Sequence, residues 1–63
     1  MNNLKMYRER ASLTQQELSD IINVDRSAIS KWESGEFLPR TEKLPAIAKA
    51  LNCTIDELLA DAV

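Results

Sequence analysis

The sequence predicts an all-α domain made of five short helices. Three observations support this prediction: apolar residues recur at helical spacing, residues that cap or end helices stand between the apolar groups, and glycine and proline are scarce inside them. The five predicted helices cover about residues 3–11, 14–22, 25–34, 41–51 and 54–60.

Length and composition limit the class of protein. The 63 residues predict one small domain, residues 1–63, and the 44% of hydrophobic residues indicate a globular chain. No apolar run reaches the ~20 residues of a membrane span, and no signal-peptide pattern opens the sequence. The single cysteine, Cys53, excludes an internal disulfide and is interpreted as a packing residue. We therefore expect a cytoplasmic protein.

The first helix is predicted to begin at a polar cap. Asn3 is suited to cap it. Leu4, Tyr7 and Ala11 follow at i, i+3 and i+7, so they are expected to face the core.

Residues 14–35 contain the pattern on which the rest of the chain depends. Thr14 and Glu17 have the spacing of a capping box. Asn23 tolerates a left-handed backbone and can end the helix. Between them the sequence predicts one buried stripe, made of Leu18, Ile21 and Ile22.

The third predicted helix, residues 25–34, follows this corner. Val24 is predicted to fill the corner, Asp25 to cap the helix and Gly35 to end it. One face is apolar, with Ala28, Ile29 and Trp32. The opposite face has only long cations and small hydroxyls, namely Arg26, Ser27, Ser30 and Lys31.

The third predicted helix has the composition of a helix that reads a major groove. Arg and Lys can donate to guanine edges, and Ser reaches bases or phosphates without bulk. An ordinary amphipathic helix with a solvated face would show a similar pattern. The capped helix and the tight corner just before it favour the nucleic-acid interpretation.

The fourth predicted helix begins after an apolar connection. Thr41 is taken as its cap, so that Pro45 is its fourth residue and removes one backbone donor. Its buried face is expected to contain Leu44, Ile47, Ala48 and Leu51.

The fifth predicted helix closes the core. Thr54 and Glu57 again form a capping box. The apolar residues expected to complete the core are Ile55, Leu58 and Leu59.

The net charge of −2 and the pI of about 4.9 are unusual for a DNA-binding protein. Residues 1–43 hold seven basic and seven acidic side chains, so the acidic excess lies in residues 44–63. A positive patch can therefore form in the first part of the chain. Nonspecific affinity for DNA is expected to be weak.

Residues 4–59 resemble the Cro/repressor (XRE-type) helix-turn-helix proteins. The matching motifs are Leu-Thr-Gln at 13–15, Leu18 with small Ser19, Ile22, Val24, Ile29, Trp-Glu-x-Gly at 32–35, Pro39, Leu44-x-x-Ile47-Ala48-x-x-Leu51 and Ile55-Asp56-Glu57-Leu58-Leu59. The resemblance implies a compact five-helix lambda-repressor-like fold. It also implies that helix 25–34 enters the major groove of duplex DNA.

The resemblance assigns roles to several residues. It pairs Arg8 with Glu33, which joins the first helix to the reading helix, although a solvated Arg8 is the alternative. It places Ser12 where the family often has glycine, which implies mild left-handed strain. Base contacts are expected from Arg26, Ser27, Lys31 and Ser30. Phosphate contacts are expected from Gln15, Gln16 and Arg40.

Phe37 and Leu38 form an apolar pair that the resemblance assigns to a dimer contact. We therefore expect a homodimer on a palindromic operator, with half-sites about one helical turn apart.

The predicted function is a phage or bacterial transcription regulator, most simply a repressor, that binds double-stranded DNA. The sequence has no histidine, metal-ligand spacing, phosphate loop or nucleophile–base pair, so no enzyme activity, metal, cofactor or small-molecule ligand is expected. Two alternatives stay open: a protein-interaction module that has lost DNA binding, and an antitoxin for which repression is secondary.

Overall fold

The computed structural model describes residues 2–60, and their side chains from residue 3 onward. This part of the chain is all-helical, which confirms the predicted fold class. None of its helices is long and apolar enough to cross a bilayer. The elements are α1 (Asn2–Arg10), α2 (Gln15–Ile22), α3 (Arg26–Ser34), a 3₁₀ turn (Thr41–Lys43), α4 (Leu44–Ala50) and α5 (Ile55–Leu59). Met1 and residues 61–63 of the predicted domain lie outside the described residues.

The five helices surround a single apolar core. Their main contacts run in a ring, from α1 to α3, α2, α4, α5 and back to α1. Each helix contributes at least one side chain that is almost fully buried. The buried cluster consists of Leu4, Leu18, Ile22, Ile29, Trp32, Ile47, Ala48, Leu51 and Leu58.

Four helices end at a residue with a left-handed backbone. After each one, the next N–H donates to a carbonyl five positions back, at 2.9–3.1 Å, which is the Schellman arrangement. The helix ends predicted at Asn23 and Gly35 are confirmed. The φ values are 59° at Ser12, 58° at Asn23, 83° at Gly35 and 54° at Asn52.

The two threonine capping boxes are present. Thr14 caps α2 with Glu17, and Thr54 caps α5 with Glu57. The prediction for Asp25 was wrong in one respect, because it stands at the cap position of α3 but its side chain makes no capping bond. Local spacing defines a complete box, whereas a lone aspartate also needs the rotamer that faces the helix.

The sequence predicts that Asn3 caps α1, and this prediction was wrong. α1 already includes Asn2, and Asn3 lies within the helix with a buried side chain. Its amide donates to the carbonyls of Glu57 and Ala60, at the far end of the described chain. A buried amide must find partners, and here they are a carbonyl of α5 and the carbonyl of the residue that follows it.

Two predicted core residues are on the surface. Ile21 is 57% exposed and Leu59 is also exposed, although both follow the helical spacing. α2 and α5 are short, so each buries a narrow stripe centred on Leu18, Ile22 or Leu58.

The predicted start of the fourth helix at Thr41 was wrong. Thr41–Lys43 is a 3₁₀ turn, and α4 begins at Leu44 with Pro45 in its first turn. In a first turn the missing N–H of proline costs no intrahelical bond. With α4 beginning at Leu44, Pro45 removes no hydrogen bond from the helix, whereas a start at Thr41 would have left it one backbone donor short.

Candidate nucleic-acid interface

The angle between α2 and α3 is set by a three-residue corner. Asn23 turns the chain, and the N–H of Val24 then donates to the carbonyl of Ser19 at 2.9 Å. Val24 is half-buried against the core, as predicted. Ser19 is buried, and its hydroxyl is bonded to the Gln16 carbonyl at 2.7 Å. The corner is therefore fixed by both backbone bonding and packing.

The core fixes which side of α3 meets solvent. Ile29 is fully buried and Trp32 nearly so, which holds one face of the helix against α1 and α2. The opposite face is in water. All four residues predicted to read bases are exposed on it: Arg26, Ser27, Ser30 and Lys31.

A polar network connects this exposed face to α1. Glu33 accepts hydrogen bonds from Arg8 Nε at 2.6 Å and Arg8 Nη2 at 3.2 Å. Gln15 Nε2 donates to the same carboxylate at 3.1 Å, and Gln15 Oε1 accepts a longer bond of 3.4 Å from Arg26 Nη1. The chain of contacts thus runs from α1 through α3 and the start of α2 to the first residue of α3.

The Arg8–Glu33 ion pair is the inner part of this network. Only 10% of the Arg8 side chain and 5% of the Glu33 side chain are exposed. Hydrogen bonding to Glu33 raises the pKa of Arg8, so its positive charge persists. Arg8 Nη1 also donates to the Leu13 carbonyl at 2.7 Å, directly after the left-handed Ser12. The pair therefore ties together α1, the turn after it, and α3.

The three predicted phosphate-contact residues occupy different settings. Gln15 is half-buried at the start of α2 and belongs to the network. Gln16 is exposed, and its amide donates within α2 to Ser19 Oγ at 3.3 Å and Asp20 Oδ1 at 3.0 Å. Arg40 is exposed in the connection just before the 3₁₀ turn.

The two apolar residues after α3 are both exposed, but they have different neighbours. Phe37 is 56% and Leu38 70% exposed. The ammonium of Lys31 lies 5.4 Å from the centroid of the Phe37 ring. A shallow groove of about 270 Å³ lies beside this contact, lined by Asp25, Ser27, Ala28, Lys31, Trp32 and Phe37.

Sequence reasoning missed two features of this surface. It did not connect Gln15 to Arg26 or Glu33, which are 11 and 18 positions away. It also treated Phe37 only as part of a dimer patch. The signal that could have indicated the second contact is Gly35, because a left-handed residue reverses the chain and returns it toward the last turn of α3.

Comparison with known proteins gives consistent matches along the chain. The helix-turn-helix family model matches residues 4–58. The chain is 47% identical to the HTH-type transcriptional activator BcrR of Enterococcus faecalis, over 90% of this chain and 28% of that protein. It is 43% identical to the cryptic phage CTXphi transcriptional repressor RstR of Vibrio cholerae, over 87% of this chain and 49% of that protein.

A third relative is repressor protein C2 of Salmonella phage P22, with 38% identity over 89% of this chain and 26% of that protein. The chain thus spans half or less of the length of these relatives. The matches cover 87–90% of this chain, and the helix-turn-helix family model covers residues 4–58 of it.

Proposed function

Since the chain belongs to the XRE-type helix-turn-helix family, we propose that it binds duplex DNA at specific sequences and regulates transcription. The observation that supports this most directly is the face of α3. Its cations and hydroxyls are exposed while Ile29 and Trp32 anchor the other side in the core. A helix held in this way can enter a major groove without rearrangement of the domain.

The proposed reading residues follow from the chemistry of base edges. Arg26 and Lys31 donate to guanine O6 and N7, where cationic donors bind best. Ser27 and Ser30 lie between them in sequence and can contact either bases or phosphates. Arg26 also belongs to the polar network through its hydrogen bond to Gln15, so Gln15 helps to orient it.

Gln15, Gln16 and Arg40 are proposed phosphate contacts. A primary amide has two N–H donors, and Gln15 uses one of them on Glu33. The second is available to a phosphate at the start of α2, where the helix dipole also favours an anion. These contacts position the domain on DNA without selecting a sequence.

The proposed assembly is a homodimer on a palindromic operator. Two relatives are named as repressors and one as an activator, and repression is the simpler role for a bound dimer that blocks a promoter. The exposed Leu38, beside Phe37, is the proposed dimer contact. Such a non-catalytic regulator acts where bacterial or phage DNA is found, in the cytoplasm.

A protein-interaction module is the second candidate. The acidic pI of about 4.9 and the exposed apolar residues after α3 favour it. Binding to random-sequence DNA at low salt separates the two, because phosphate neutralisation is present in any DNA-binding domain and absent from a pure protein adaptor.

Selection from a random oligonucleotide pool tests the proposed function directly. The selected operator is then used to compare Arg26→Ala with Lys49→Ala, which removes an exposed cation from α4. We expect Arg26→Ala to leave the melting temperature nearly unchanged and to weaken operator binding by ~1–3 kcal/mol, with relaxed discrimination at one or two base pairs. Lys49→Ala should change neither. No loss on any duplex for Arg26→Ala and Lys31→Ala would contradict DNA reading by α3.

A further inference from the structure

Lys31 is the one proposed base-reading side chain that contacts an aromatic ring. Its ammonium is 5.4 Å from the centroid of Phe37. At this distance the negative face of the ring attracts a cation, even in contact with water. Arg26, the other cation of the α3 face, has a different partner in Gln15. Each cation of the face thus has its own neighbour that limits where it points.

The backbone holds Phe37 in this position. The carbonyl of Lys31 accepts hydrogen bonds from the N–H of Glu36 at 3.0 Å and of Phe37 at 3.3 Å. The Ser34 hydroxyl also donates to it, at 3.0 Å. Gly35, with φ of 83°, allows this tight return of the chain. The residue that supplies the ring is therefore bonded to the residue that supplies the cation.

The ring of Phe37 faces α3. It lines the groove together with Ser27 and Ala28 of that helix and with Lys31 itself. Leu38, the next residue, does not line the groove and is the more exposed of the two. The two neighbours therefore present their side chains to different surroundings. Only Phe37 lies beside the residues of α3 that are proposed to read bases.

We propose that Phe37 is a positioning residue for sequence reading: its ring holds the Lys31 ammonium beside the shallow groove of the protein, so that Lys31 contacts one base pair. This inference rests on the proposed function of α3. A lysine side chain is flexible and donates in any direction, and it therefore discriminates poorly unless its head is held. Phe37 supplies that restraint without touching DNA.

The contact itself is tested in the free protein by NMR. The ring of Phe37 shifts the ε-methylene protons of Lys31 upfield, and Phe37→Leu should abolish this shift while Phe37→Tyr retains it. Phe37→Leu keeps an apolar side chain, so sedimentation should show the same oligomeric state as the wild type. Unchanged Lys31 shifts in Phe37→Leu would overturn the inference before any DNA is added.

The consequence is tested on the selected operator and on its single-base-pair variants. Phe37→Leu should reduce discrimination at the Lys31 base pair by about two- to five-fold, the range expected for an exposed cation–π contact. Phe37→Tyr should restore it. In a Lys31→Met background, Phe37→Leu should have no further effect on discrimination. Leu59→Ala, which trims an exposed apolar residue of α5, is the matched control and should leave the profile unchanged.

The outcomes separate the inference from the function on which it rests. If the wild type selects no DNA sequence, the proposed function fails. If it selects an operator and Phe37→Leu weakens binding equally on all variants, Phe37 contributes to assembly or stability, and the positioning role is wrong.

Discussion

Ser12 carries backbone strain that another residue would not. It has φ of 59° at the turn between α1 and α2, a conformation that costs an L-residue ~1–2 kcal/mol. Asparagine occupies the equivalent position at Asn23 and Asn52, and its short polar side chain tolerates this backbone better than serine does. The resemblance predicted this strain, because the family often has glycine at this position.

We expect Ser12→Gly to raise the free energy of unfolding by about 0.5–1 kcal/mol. Relief of the strain exceeds the ~0.4–1 kcal/mol that glycine costs through the greater freedom of the unfolded chain. Urea denaturation measures the difference, with Asn23→Gly as the control that should gain less. A loss of stability in Ser12→Gly would show that its side chain has a structural role.

The Arg8–Glu33 pair is a nearly buried ion pair between α1 and α3. We expect Arg8→Ala or Glu33→Ala to destabilise the domain by ~3–5 kcal/mol, because each leaves a nearly buried charge without its partner. The double variant should lose much less than the sum of the two, since it strands no charge. Thermal or urea unfolding of the four proteins gives the coupling energy. Additive losses would mean that the pair seen in the structure contributes nothing in solution.

At the scale of single helices, α5 depends on its first turn. It has only five residues, too few to be stable without a cap. The Glu57 carboxylate accepts the N–H of Thr54 at 2.9 Å and the hydroxyl of Tyr7 at 3.1 Å. The backbone bond from Thr54 is the larger cause, and both lower the pKa of Glu57 below its ordinary value of 4.5.

The sign of the resulting pH dependence follows from this lowered pKa. The Glu57 contribution is present above the unfolded value and is lost as the pH falls through the folded value. We expect Glu57→Gln to flatten the loss of stability below about pH 4.5, measured by urea unfolding at several pH values. Thr54→Ala is the control, because it removes the hydroxyl but keeps the N–H that binds the carboxylate. It should lower stability and retain most of the pH dependence, because the backbone bond from Thr54 is the largest cause of the lowered pKa.

The elements show which structural features local sequence determines. The capping boxes at Thr14 and Thr54 and the end of α2 at Asn23 were predictable, because each depends on residues within one turn. Ile21 was not, because periodicity gives the direction of a side chain but not where the neighbouring helix stops. The Gln15 network and the ring over Lys31 were missed because they join residues across turns and between helices.

At the scale of the whole molecule, charge is distributed unevenly. The chain has a net charge of −2, yet residues 1–43 are balanced and include both cations of the α3 face. We therefore expect the attraction to a phosphate backbone to be local and weak. In the proposed function, affinity comes from base contacts and from placing two domains on one operator. The need for the second domain makes the apolar residues after α3 important to the proposed function.

We expect Leu38→Ser to weaken operator binding without changing base preference. One small domain holds a half-site weakly, and a paired domain raises the effective concentration of the second binding event. Leu38 is 70% exposed in the single chain, whereas α3 is held independently by Ile29 and Trp32. Substitution should therefore affect pairing and leave the reading face intact.

Sedimentation of the free protein and of the operator complex measures this directly. The wild type should bind as two chains per operator. In Leu38→Ser the second chain should bind more weakly relative to the first than it does in the wild type. Leu59→Ser is the matched control, because it makes an exposed leucine of α5 polar at a site outside the proposed dimer contact. One wild-type chain per operator at saturation would contradict the dimer, since a palindrome read by two copies of α3 requires both to be bound at once.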